Sequence, residues 1–121
     1  MEKEFVPYEL AVKLKELGFD EPCLARHLVV TEWEKQTGEI RLQLFLDASI
    51  EDKFLIKAPL WQQAFNWFTR KGLHSYIEGA YPWFRYYINT EDDRYEGFKH
   101  LKIEEARLAC LEKLIEICKN H

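Results

Sequence analysis

The chain has 121 residues, 47% apolar, 15% aromatic and 31% charged. Seventeen basic against twenty-one acidic residues leave a formal charge of −4. That balance argues against coating phosphate backbones as the main task, which calls for a basic surplus.

In chain order, the first predicted helix begins near Pro7, whose fixed φ suits a first turn. Leu10, Leu14 and Leu17 follow at i, i+4 and i+7 with Ala11 beside them, an apolar stripe. Gly18 supplies the left-handed stop, and Phe19 falls where a Schellman motif folds an apolar residue back onto Leu14. A hairpin follows: His27 to Trp33 and Glu39 to Leu46 flank Lys35-Gln36-Thr37-Gly38, with Gly where positive φ costs little. Phe54-Leu55-Ile56 adds a short strand. Pro59 opens a second helix with the stripe Trp61, Ala64, Phe65 and Phe68; Arg70 and Lys71 sit at its negative dipole end. Gly72 stops it, and Leu73 can fold onto Phe68. A second hairpin pairs His74–Glu78 with Trp83–Asn89 across Gly79-Ala80-Tyr81-Pro82. The third helix runs from about Ile103 to Lys119, with Ala106, Cys110, Leu114 and Ile117 on one line. Leu111, Ile115 and Cys118 widen that face.

The expected fold class is therefore α+β: one domain over residues 1–121, an antiparallel sheet with three helices in the order α-ββ-α-ββ-α. That order resembles a duplicated ββα unit on one sheet. Asp47–Lys53 and Thr90–Lys99 read as polar loops. The start, Met-Glu-Lys-Glu, lacks the apolar stretch of a secretory leader, and the longest apolar run, Leu108-Ala109-Cys110-Leu111, is too short for a membrane span. Three cysteines, Cys23, Cys110 and Cys118, show no metal spacing. A helical rise of about 12 Å between the last two exceeds the roughly 7 Å a disulfide tolerates. Small buried thiols in a reducing, cytoplasmic compartment are expected.

No catalytic motif stands out. The five glycines are scattered, so no phosphate-cradling loop exists, and neither Ser49 nor Ser75 sits in a Gly-x-Ser-x-Gly elbow. His27, His74, His100 and His121 lack metal-ligand spacing. The weakest of three functional readings is a small hydrolase in which His74 or His100 meets a carboxylate. Glu91-Asp92-Asp93 lacks the alternation and Gly of a calcium loop and reads as a solvated turn. No cofactor, no metal and no enzyme activity are expected.

The aromatic content is unusual. Tyr81-Pro82-Trp83-Phe84-Arg85-Tyr86-Tyr87 holds five aromatics in seven residues. In a strand one face belongs to the core, and the other carries Trp83, Arg85 and Tyr87. Trp, Tyr and Arg dominate protein-binding hot spots, so these three are the candidate binding residues, for a protein partner or a second copy. The second reading is single-stranded nucleic acid stacked on the same strand, with Arg70, Lys71 and Arg85 on phosphate. Burial of both sheet faces under helices is the competing structural reading.

Three stretches, Phe5–Ala25, Ala58–Glu78 and Glu104–Asn120, carry the motifs APLWQQAFNWF and EEARLACLEKLIEI. Together they resemble a family of short uncharacterised proteins of gut anaerobes, found in chromosomal and phage-like settings. The resemblance covers about half the chain and implies no activity, cofactor or catalytic residue; a host or phage protein as partner is what it implies. One departure is Lys102, where the family pattern puts a Ser that would form a capping box with Glu105.

Overall fold

The computed structural model describes residues 4–30, 39–44 and 55–120. Among these, the order is α1 (Tyr8–Glu16), β1 (Ala25–Val30), β2 (Glu39–Leu44), β3 (Leu55–Ala58), α2 (Trp61–Arg70), β4 (His74–Ala80), β5 (Trp83–Asn89), β6 (Arg94–Glu96) and α3 (Ile103–Lys119). The α+β class and the alternation of helices with antiparallel strands match the expectation. Instead of one sheet there are two of three strands each, ordered β2-β1-β3 and β4-β5-β6. β3 and β6 complete them; β6 lies within the stretch expected to be loop. A duplicated unit would repeat its strand order, yet the first sheet centres on its first strand and the second is a simple meander. Residue contacts divide the chain into two units, residues 1–61 and 62–121. The Lys35–Gly38 turn and the Asp47–Lys53 stretch lie outside the described residues.

In the first unit β1 pairs with β2 from Ala25↔Leu44 to Val30↔Glu39, and with β3 from Ala25↔Ala58 to Leu28↔Leu55. Phe5 bridges to Leu60, and the Val6 N–H donates to the Pro59 carbonyl at 2.9 Å. Val6, Leu10, Ala11, Leu14 and Phe19 are buried, with Ala25 and Ala58 on the strands. His27 reaches the Val6 carbonyl through Nε2 at 2.8 Å and meets the Tyr8 ring edge-on. Pro7 is the N-cap rather than the first helical residue. Its ψ of 160° is extended, while its carbonyl already accepts from Ala11 N–H.

Both glycine stops form as the pattern predicts. Gly18 has φ +99° and Gly72 φ +90°. Phe19 N–H donates to Leu14 O and Gly18 N–H to Lys15 O, and the same pair of bonds joins Leu73 to Phe68 and Gly72 to Thr69. These are the two bonds of a Schellman motif, and Phe19 and Leu73 are buried behind them. The buried face of α2 is rotated from the predicted stripe: Ala64, Trp67 and Phe68 are buried, whereas Trp61 and Phe65 are half-buried. Aromatics on both sides of one helix leave the choice of inward face to tertiary packing.

In the second unit α3 packs on β5 and β4 with Ala106, Cys110, Leu111, Leu114, Ile115 and Ile117 buried. Lys102 is its N-cap and makes no side-chain capping bond; Glu104 and Glu105 in the first turn complement the helix dipole instead.

Candidate interaction surface

β4 and β5 pair without interruption from His74↔Asn89 to Ala80↔Trp83, leaving Tyr81-Pro82, joined by a cis bond, as a two-residue turn. Alternation then sorts the side chains. Phe84, Tyr86 and Ile88 share a face with Ser75 and Ile77. This is the α3 side, where Tyr86 and Ile88 are buried. Burial raises the Tyr86 hydroxyl pKa, and Cys110, Glu116 and Glu112 on α3 add to it. The opposite face carries His74, Tyr76 and Glu78 from β4, Trp83, Arg85 and Tyr87 from β5, and Arg94 and Glu96 from β6.

On that face the three predicted binding residues have different surroundings. Tyr87 is only 9% exposed. Its ring stacks on Tyr76 of β4, with centroids 5.0 Å apart and planes at 21°, and the Arg94 guanidinium of β6 lies 5.0 Å from it. Trp83 is half-buried, with the Lys99 ammonium 4.2 Å from its ring centre. Arg85 is half-buried opposite Glu78 in the register, and its Nε is buried without a hydrogen-bond partner among the described residues. The strand is therefore neither wholly core nor wholly open: Tyr87 supports the sheet, while Trp83 and Arg85 sit at the boundary with water.

The segment after β6 builds the rest. β6 pairs with β5 through Tyr87↔Glu96, Ile88↔Tyr95 and Asn89↔Arg94. Gly97 N–H donates to Tyr86 O, and Phe84 and His100 exchange both backbone bonds at 2.7 and 2.8 Å. The register has slipped by one residue between Glu96 and His100, which defines a β-bulge. Gly97 belongs to it because a Cβ there would enter the Tyr86 ring.

Beyond the bulge the chain runs antiparallel to the start of β5, so Leu101 comes alongside Trp83. Phe98 is 86% and Leu101 74% exposed, and Tyr81 at the turn is fully exposed. Tyr81 at the turn and Leu101 thus lie with Trp83 toward the hairpin end of the second unit, with Lys99 on the Trp83 ring, while Phe98 is exposed nearer the bulge, two residues before His100. Sequence reading finds Trp83 and Arg85 but not Phe98 or Leu101. An aromatic inside an otherwise polar stretch, Thr90–Lys99, is the signal it offers.

The two histidines do not converge on one carboxylate, although His100 does meet one. His74 pairs with Asn89 and His100 with Phe84, five residues apart along β5, or about 17 Å at the rise of a strand. His74 is on the open face, whereas His100 faces α3, its Nδ1 3.7 Å from Glu105 Oε2. Burial pushes the Cys110 thiol up to about 12, despite a hydrogen bond with Ser75, so it is a protonated, poor nucleophile at neutral pH. Among the described residues no group of His, Cys, Asp or Glu is arranged to hold a metal ion, and no helix is long and apolar enough to cross a membrane. Comparisons with protein-family models, curated proteins and solved structures give no match.

Proposed function

We propose that this is a non-enzymatic protein-binding module of a reducing, cytoplasmic compartment, and that it engages its partner through the hairpin end of the second unit. One observation carries the reading: Tyr81 and Leu101 stand open to water toward the Trp83 end of the second sheet, with Phe98 also open nearer the bulge, and large exposed apolar groups on a lone chain mark contact surfaces. Arg85 and Lys99 supply the polar border that such surfaces use. The resemblance to proteins of phage-like settings adds a host or phage protein as the expected partner.

Single-stranded nucleic acid is the weaker reading. A stacking platform needs free ring faces, yet Tyr87 stacks on Tyr76 and Trp83 carries Lys99. The second unit also holds nine basic and nine acidic residues, no surplus for phosphate.

The test compares the wild type with a Tyr81→Ser, Phe98→Ser, Leu101→Ser variant. Both serve as bait, and a retained protein is purified and titrated calorimetrically. Binding by the wild type that weakens at least tenfold in the variant supports the reading. Equal binding by both overturns it. Oligonucleotide binding that falls steeply with salt would favour the nucleic-acid reading instead.

A further inference from the structure

Among the described residues, β4 is the edge strand of the second sheet on the side away from β6. Phe84 exchanges both backbone bonds with His100, and Tyr86 O accepts from Gly97. Phe84 and Tyr86 therefore direct their backbone groups away from β4. By the alternation of an antiparallel ladder, Trp83, Arg85, Tyr87 and Asn89 direct theirs toward it. Their partners Ala80, Glu78, Tyr76 and His74 are then the residues of β4 bonded to β5. Ser75, Ile77 and Gly79 turn three N–H and three C=O groups outward. None of the six has a backbone partner among the described residues.

Natural sheets blunt such an edge with charged side chains, lysine above all, or with proline, a bulge or a very short strand. β4 has one charge, Glu78, and none of the other devices. Its seven residues, HSYIEGA, contain neither Lys nor Pro, and its register with β5 is unbroken over all seven pairs. The opposite edge shows the contrast, with a three-residue β6 followed by the bulge.

We infer that β4 pairs antiparallel with β4 of a second copy of this chain, joining two three-stranded sheets into one of six strands. The strand is self-complementary about Ile77. A two-fold axis there sets Ile77 opposite Ile77 of the second copy, Tyr76 opposite Glu78, Ser75 opposite Gly79 and His74 opposite Ala80. All seven residues pair, and the outward groups of Ser75, Ile77 and Gly79 form six hydrogen bonds. No like charges meet, whereas a slip of two residues toward the C-terminal end of β4 would set Glu78 against Glu78, an unfavourable cross-strand pair. Opposite residues share a face, so α3 of both copies lies on one side of the joined sheet and the Tyr76–Tyr87 stacks on the other. This edge is separate from the hairpin end and does not rest on the function proposed for it.

The test is residue-resolved amide hydrogen exchange on the wild-type chain over a range of concentrations, with sedimentation velocity on the same samples. Pairing predicts a dimer, and protection at Ser75, Ile77 and Gly79 that grows at least tenfold as the dimer fills. The amides of Tyr76, Glu78 and Ala80, held by β5, should be protected at every concentration. The Tyr81→Ser, Phe98→Ser, Leu101→Ser variant should dimerise as the wild type does, which separates this edge from the hairpin end. A chain that stays monomeric at millimolar concentration with the three amides exchanging freely overturns the inference. So does a dimer that leaves those amides unprotected, since it is built elsewhere. Protection that appears only when a foreign extended peptide is added would assign the edge to that peptide and overturn the second copy.

Discussion

Replacing Gly97 with Ala tests whether the bulge is fitted to the ring beneath it. The added methyl would fall among Cε2, Cδ2 and Cζ of Tyr86. That ring has little room to withdraw: it is buried on the α3 side of β5, close to Cys110, Glu112 and Glu116. Forcing one carbon into a packed site costs about 1–3 kcal/mol. With a urea slope of about 1–3 kcal/mol per molar, the unfolding midpoint should fall by about 1 M. Gly79→Ala is the internal control. Its Cβ would meet the Phe84 ring at 3.2 Å, a contact relieved by a shift of a few tenths of an ångström, so its midpoint should move much less. A double-mutant cycle with Tyr86→Leu then isolates the ring: the Gly97→Ala penalty should shrink by about 0.5–3 kcal/mol in that background. Equal midpoints for Gly97→Ala and the wild type, or an undiminished penalty beside Leu, would refute the fitted bulge.

Phe68, fully buried on α2, should lose about 3–5 kcal/mol on truncation to Ala; Phe65→Ala should cost clearly less because Phe65 is half-buried, and paired thermal melts read the difference. Gly18→Val and Gly72→Val should each destabilise by at least about 1 kcal/mol, because a side chain at positive φ is strained even in open space; unaltered melts would contradict the Schellman geometry. The thiol of Cys110 is raised from 9.0 to about 12 by burial, so the unfolded chain releases its proton first as pH rises. Its contribution to stability is full below pH 9 and is lost between there and about 12, at about 1.4 kcal/mol per pH unit; Cys110→Ala should flatten that part of the stability profile. Below pH 9, Cys23 and Cys118, both partly exposed, should alkylate well before Cys110.

Much of the local structure was legible because it depends on near neighbours. The stripe Ala106, Cys110, Leu114 and Ile117 fixes the buried face of α3, and glycine followed by an apolar residue fixes the ends of α1 and α2, since positive φ and the fold-back contact are short-range requirements. The alternation along Trp83–Asn89 likewise assigns its two faces. Other features depend on residues far apart in the chain. Arg94–Glu96 is a weak strand on its own and becomes β6 because Tyr87, Ile88 and Asn89 present an unpaired ladder to it. The α2 face turns toward Trp67 because periodicity cannot choose between two sides that are both aromatic. Trp83, Arg85 and Tyr87 look equivalent in an alternating pattern. Their different exposure comes from Tyr76, Arg94 and Lys99 on flanking segments, and a side chain's access to water is set by what other parts of the chain lay over it.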